Sequence, residues 1–411
     1  MSSGKPVLLL AYHFPPDNAS GSARPFRFYK YLPEYGYEPH VITASPQTGV
    51  QLPRVTFAPA PSPTRRTLFG WVERGLRKTF FTSDEAMIWA HEAKKAVARA
   101  MRQTKFYAIV STFPPVNSHL VGSWAHRKFG VPWIADYRDP LVGNPFRPAS
   151  GLSGWTDRLL EHHFLRHADA SLCVTDVVLR EWRAQRPAAA SKIHLLWNGF
   201  DPEDEDNSMA KPLPARSRRY LTHVGTLYGA RSPVSILESF RRLVENNRIN
   251  TKAVSVRLIG QLDPLIEQAH VPLFQWLQQQ DMLYMSEGLI PRQQAQAEAR
   301  EADYLLLIDI TERNSGYTVP AKLFEYIRVG RPILAYTDEG SPTDRILQKA
   351  GIPYQLLYRG ESEECMDEKI MAFLRFPSDP TPQSQWFLDQ FDGRRQTATL
   401  ARLLDRLHPK K

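Results

Sequence analysis

The sequence predicts an α/β protein built from two doubly wound parallel-sheet domains, and three observations carry that reading. The chain has 411 residues, too long for one ordinary domain and close to two of about 200 residues each. Short unbroken apolar runs, such as Pro6–Ala11 and Tyr304–Ile308, have the length of strands buried on both faces, and helical patterns alternate with them. Between the halves lies PEDEDNSMAKPLP, Pro202 to Pro214, which is charged, prolyl and without periodicity, as a linker is. The expected division is a first domain over residues 1–200, a linker over 201–213, a second domain over 214–385 and a closing helix over 386–408.

Composition narrows the partners. A hydrophobic content of 42% with 11% aromatic residues is that of a globular chain. Lys plus Arg at 52 against Asp plus Glu at 43 gives +9, which favours anionic partners: phosphorylated substrates, lipid head groups or nucleic acid. No basic stripe interleaved with exposed aromatics is evident, so single-stranded nucleic acid is not expected. Cys173 and Cys365 lie far apart in apolar segments without metal-type spacing, and are expected as buried free thiols in a reducing compartment. The apolar stretch of MSSGKPVLLLAYHFPP is too short for a signal peptide, and no run reaches transmembrane length.

In chain order, the strand Pro6–Ala11 leads into the loop HFPPDNASGSARP, a helix to about Tyr35 stopped by Gly36, and the strand His40–Thr43. This β-loop-α-β opening lacks the Gly-x-Gly-x-x-Gly fingerprint, which disfavours a nicotinamide enzyme. In TLFGWVERGLRKTFF, Leu68, Phe69, Trp71, Val72, Leu76 and Phe80 share a broad helical face, with Arg74, Arg77 and Lys78 outside it. Such a segment can lie in an anionic lipid interface or pack on the core. After the strand Phe106–Ser111, Asn117 or Ser118 can cap a helix that holds His119 near its start. The strand Trp133–Ala135 ends in DYRDP, placing Asp136, Arg138 and Asp139 at the lip of a parallel sheet, where ligands bind. Those charges serve catalysis, or Arg138 and Asp139 pair and pin the loop. Strands over Ala170–Val174 and Lys192–Trp197 complete the domain.

The second domain opens with the strand Tyr220–Gly225, a glycine-containing loop, Ser232 as N-cap and Pro233 at the first helical position. Arg231 stands before four unsatisfied N–H groups, an arrangement that asks for an anion. A strand follows at Val254–Gly260. After Tyr304–Ile308, a polar loop with Ser315 and Gly316 leads to Pro320 and a short helix whose apolar stripe is Leu323, Phe324 and Ile327. Gly330 and Pro332 end it before the strand Ile333–Tyr336. Lys322 lies in its first turn and Glu325 one turn on. A cation at the positive end of a helix is unfavourable unless an anion joins it, which points to phosphate; on spacing alone a surface Lys–Glu pair fits as well. Trp386–Leu407 reads as one amphipathic helix.

PPDNASGSAR (15–24), NGFD (198–201) and PAKLFEY (320–326) occur in this order, and the chain resembles family-four-type (group 1) glycosyltransferases with the GT-B fold. The resemblance implies two Rossmann-like domains facing across a cleft, the last helix crossing back onto the first domain, and a nucleoside diphosphate sugar as donor. It gives Glu325 the ribose hydroxyls and Lys322 the diphosphate, shared with Arg231 and the Gly225 loop. Ser315, Gly316 and Tyr317 fall in the donor loop, and backbone near Leu289 and Ile290 meets the nucleobase. Gly21, Ser22 and Arg24, with Arg138, face the acceptor or the diphosphate. Asp136 or Asp139, or more remotely His119, would handle the acceptor hydroxyl. Tyr317 stands eight before Glu325, where the commonest pattern has a second Glu, and RDP stands where many relatives have His–Asp. The implied activity is a retaining, metal-independent hexosyl transfer in bacterial cell-surface polysaccharide or glycolipid synthesis, at the cytoplasmic side of a membrane, with a glycan or lipid-linked acceptor. Asp204-Glu205-Asp206 is formally an Asp-x-Asp metal motif, but it sits in an acidic hinge, so no metal or other cofactor is expected. A nucleotide-sugar 2-epimerase of the same fold and a non-catalytic basic binding protein are the alternatives.

Overall fold

The computed structural model describes all residues except 1–3, 18–20, 47–51, 61–83, 145–146, 148–149, 205–207, 215, 230, 289, 311–314 and 409–411. The segment Leu68–Phe81 therefore lies outside the described residues, as do Leu289 and Glu205–Asp206. The chain divides into two compact units.

The first unit comprises Met1–Asp201, Gly316–Thr318 and Gln390–Lys411. Its sheet has seven strands in the order β3-β2-β1-β4-β5-β6-β7, all parallel. These are β1 Lys5–Leu10, β2 Tyr37–Thr43, β3 Val55–Phe57, β4 Ala108–Phe113, β5 Trp133–Tyr137, β6 Ala170–Cys173 and β7 Ile193–Leu195. Alternation along each strand feeds two layers. Val7, Leu9, Val110 and Ile134 pack with Phe28 and with Leu400 and Leu404 of the helix Gly393–Arg406. Leu8, Leu10, Ile109 and Trp133 face Trp89, Val121 and Phe164. Burial on both sides is why these strands read as continuous apolar runs.

The expected single closing helix is broken. Asp392 caps the second half, its carboxylate accepting from the Arg394 and Arg395 N–H groups. Gly393 lies against Arg27, and a Cβ there would sit 2.7 Å from the Phe200 carbonyl oxygen. Phe200 N–H donates to Phe391 O at 3.0 Å and Gly393 N–H donates to Phe200 O at 2.9 Å, so NGFD is stitched to the start of this helix.

The second unit comprises Pro202–Ser315 and Val319–Asp389. Its sheet has six strands in the order β10-β9-β8-β11-β12-β13, again parallel. They are β8 Arg219–Val224, β9 Val254–Ile259, β10 Leu283–Met285, β11 Tyr304–Ile308, β12 Ile333–Thr337 and β13 Tyr354–Tyr358. Leu221, Val256, Leu306 and Leu334 meet Ile236, Phe240 and Phe373 in its core.

The edge strands β3 and β13 escape the sequence reading because edges need no continuous apolar run: Thr56 and Phe57 are exposed, and Tyr354 and Gln355 only half-buried. Helix starts also shift by a residue. Asn117 is the first helical residue after Val116 rather than a cap. Pro233, not Ser232, holds the cap position of the helix Val234–Glu245, although Ser232 Oγ still accepts from Val234 N–H at 3.3 Å. Cys173 is buried but Cys365 is exposed, in the first turn of a helix capped by Ser362.

Candidate active site

In the second unit the carboxyl ends of β8 and β9 and the helix Ala321–Val329 converge on one point. Gly225 follows β8 with φ +123, a conformation L side chains rarely adopt. A Cβ on Gly225 would clash with the Lys322 ammonium, so that side chain lies across the bare α-carbon. Gly260, at φ +127, gives the Gly225 carbonyl the same close approach. Tyr326, one turn after Lys322, is buried, and its Oη accepts Val224 N–H at 2.8 Å, pinning the helix to the strand end. Burial lowers the Lys322 pKa, Glu325 raises it and Arg231 lowers it. Lys322 is thus a partly dehydrated cation near a second cation, at a helix start where backbone N–H groups are unsatisfied.

Arg231 stacks on the Tyr228 ring, 5.5 Å from its centroid, and Nη1 donates to Tyr228 Oη at 3.4 Å. Asp309, buried at the end of β11, is pushed up to about 6 by burial, against opposing hydrogen bonds from Thr343, Thr337 and Ile310 N–H. The segment after β10 is tied to the same sheet edge, because Ser286 Oγ accepts Gly260 N–H at 2.7 Å; Ile290 follows, half-buried.

Sequence reasoning passed over His223. It is buried, its Nδ1 donates to Leu306 O at 2.9 Å, and its Nε2 has no hydrogen-bond partner among the described residues. Burial, then Lys322 and later Arg231, lower its pKa to about 3, so it is a neutral imidazole beside the two cations. The available signal was a lone titratable residue two before Gly225 in an apolar strand.

Gly316 and Tyr317 do not join Lys322 and Glu325 within one unit: Gly316–Thr318 group with the first unit. There Tyr317 Oη donates to the Glu181 carboxylate and its ring lies against Gly143. Ser315 remains with the second unit.

In the first unit Arg24 and Asp136 form a buried ion pair. Nε donates to Oδ2 at 3.0 Å and Nη2 to Oδ1 at 2.5 Å. Nη1 donates to the Leu196 and Trp197 carbonyls at 2.8 and 2.7 Å. With both oxygens held and the side chain fully buried, Asp136 positions strand ends, and a role as proton acceptor for an incoming hydroxyl does not suit it. Arg24 likewise points into the fold. Arg138 donates to Pro114 O and lies on Gly21, where a Cβ would be 2.6 Å from Nη1. Ser22 is buried at the helix start and makes no side-chain cap. Asp139 is half-buried and is the charge that most supports the Arg138 cation against burial.

His119 is fully buried among Phe113, Trp133, Tyr137 and Phe164. Its Nδ1 is 2.8 Å from Ser111 Oγ, and burial lowers its pKa to about 3. It is a neutral core histidine. The Asn117 amide and Ser118 hydroxyl, expected as caps, are buried without hydrogen-bond partners among the described residues.

Asp204 accepts from Arg292 at 3.1 Å. Among the described residues no group of three or more His, Cys, Asp or Glu is placed to hold a metal, and no helix is long and apolar enough to cross a membrane.

The family model described as a glycosyl transferase 4-like domain matches residues 23–199. Over those residues the chain is similar to a glycosyl transferase 4-like domain. No curated protein matches the chain in sequence. Solved structures share the fold of the whole chain. Sucrose-phosphate synthase from Thermosynechococcus elongatus is 13% identical with a TM-score of 0.65, over 98% of this chain and 99% of that one. The Anabaena protein HepE, solved with UDP-glucose, is 14% identical with a TM-score of 0.60, over 98% and 100%. The lipopolysaccharide outer core galactosyltransferase WaaB is 12% identical with a TM-score of 0.60, over 97% and 99%. The two parallel-sheet units are those of the GT-B fold, and the Arg24–Asp136 pair lies within the matched residues 23–199.

Proposed function

We propose that the protein is a glycosyltransferase that moves a hexosyl-type group from a nucleoside diphosphate sugar to an acceptor hydroxyl. The observation that carries this is Lys322 held across Gly225 with Arg231 nearby. Two cations, each beside its own helix start, stabilise the charge that develops on a departing diphosphate, without reorganisation at the moment of transfer. Glu325 fits the ribose hydroxyls and thereby fixes the anomeric carbon. Asp139, the more accessible of the two candidate carboxylates, suits orientation of the acceptor hydroxyl. The transfer retains anomeric configuration and needs no metal. The acceptor is a glycan or a lipid-linked glycan of cell-surface polysaccharide or glycolipid synthesis, met at the cytoplasmic face of a membrane. The basic charge, +9, supports anionic partners of this kind.

Incubation with a panel of nucleoside diphosphate sugars, with and without glycan acceptors, tests the reading. Acceptor-dependent release of nucleoside diphosphate is the expected result. Conversion of donor alone to an isomeric sugar nucleotide would make the chain an epimerase, and failure to bind any nucleoside diphosphate would leave a binding protein.

A further inference from the structure

The helix Gly151–His167 of the first unit packs Phe164 and Leu165 inward, yet also leaves large apolar residues on its outer face. Its two carboxylates are turned inward. Asp157 accepts from Arg147 at 3.0 and 2.9 Å, and Glu161 accepts the Leu141 and Val142 N–H groups and a bond from Arg186. Its outer face instead shows Leu152, Trp155 and Leu159, at 49%, 53% and 48% exposure. Three large apolar side chains at i, i+3 and i+7 lie in one line on a helix. Single exposed apolar residues are ordinary, but a contiguous row marks a contact surface.

Charge says what the contact is. The same face carries exposed Arg158, His162 and Arg166 and no acid. At its far end Arg127 and Lys192 both act electrostatically on His167. Apolar residues with a large aromatic, flanked along this helix by cations, match the boundary between anionic head groups and acyl chains. The apolar row occupies the first half of the helix, which follows β5 and so begins at the sheet edge that holds Asp139.

We propose that this helix face docks the protein on an anionic lipid surface, with Leu152, Trp155 and Leu159 entering the interface and Arg158 and Arg166 meeting head groups. The proposal rests on the proposed function in one respect: an acceptor anchored in that lipid plane would be presented beside Asp139.

Sedimentation with phosphatidylcholine vesicles, with and without phosphatidylglycerol, tests it. Wild type should sediment with the phosphatidylglycerol vesicles and be released by salt. Leu152→Ser/Trp155→Ser/Leu159→Ser and, separately, Arg158→Glu/Arg166→Glu should each weaken that binding by about tenfold or more. Both should keep wild-type circular dichroism and nucleoside diphosphate binding. Wild type that ignores phosphatidylglycerol vesicles at low salt, or folded variants that sediment like wild type, would overturn the docking. So would a face that seats protein: wild type eluting as a dimer that the serine variant dissociates, without vesicle binding. Nucleotide binding without vesicle binding removes the docking alone; vesicle binding without nucleotide binding removes the transferase reading alone.

Discussion

The ammonium of Lys322 occupies the place a side chain would take on Gly225. Two residues ninety-seven apart in sequence thus make one structure, and Gly225→Ala should break it. The variant must both strain a backbone at φ +123 and expel Lys322, with a backbone cost of about 1–3 kcal/mol. The expected outcome is a folded protein of lower Tm whose nucleoside diphosphate affinity falls about tenfold or more, since one charge-assisted contact is worth about 1.5–3 kcal/mol. Unchanged affinity in calorimetry would separate Gly225 from the site.

Asp136 and Asp139 should behave oppositely. Asp136→Ala leaves Arg24 buried without its carboxylate, and breaking such a pair costs about 3–5 kcal/mol. Asp139→Asn should leave urea unfolding near wild type and reduce transfer instead. Equal stability of the two variants would refute the division of labour.

His119 predicts acid sensitivity. Its pKa is lowered to about 3 in the fold from an ordinary 6.5, so the unfolded chain binds the proton first as pH falls. The stability it contributes is complete above about 6.5 and drains toward about 3, at a slope of up to about 1.4 kcal/mol per pH unit. His119→Phe should flatten the fall in Tm between pH 6.5 and 4; an identical fall would assign it to other groups.

Because Asp204 is engaged by Arg292, chelator treatment should leave transfer intact. Activity lost to chelator and restored by manganese would overturn the metal-independent reading.

How much of this was legible in the sequence follows from the range of the interactions. Strands buried on both faces, such as Tyr304–Ile308, declare themselves as apolar runs, and helix stops such as Gly330 need only their own φ of +79. The exposed β3 and half-buried β13 do not, because their pairing comes from a neighbour. Lys322 and Arg231 were legible as cations at helix starts. The space that Gly225 leaves, and the unpartnered Nε2 of His223, were not, since both depend on elements far apart in the chain. Asp136 stands at the end of β5, as its place in the sequence implies, but its partner Arg24 lies 112 residues away and holds both its oxygens. Leu152, Trp155 and Leu159 have ordinary helical spacing; only the inward turn of Asp157 and Glu161 shows which side faces out.

The most direct test of the central claim is a paired calorimetric titration of a nucleoside diphosphate and its parent nucleoside into wild type and Lys322→Ala. The account predicts that the variant loses about tenfold or more in affinity for the diphosphate, while its affinity for the nucleoside is unchanged. Equal losses for both ligands, or none for either, would contradict it.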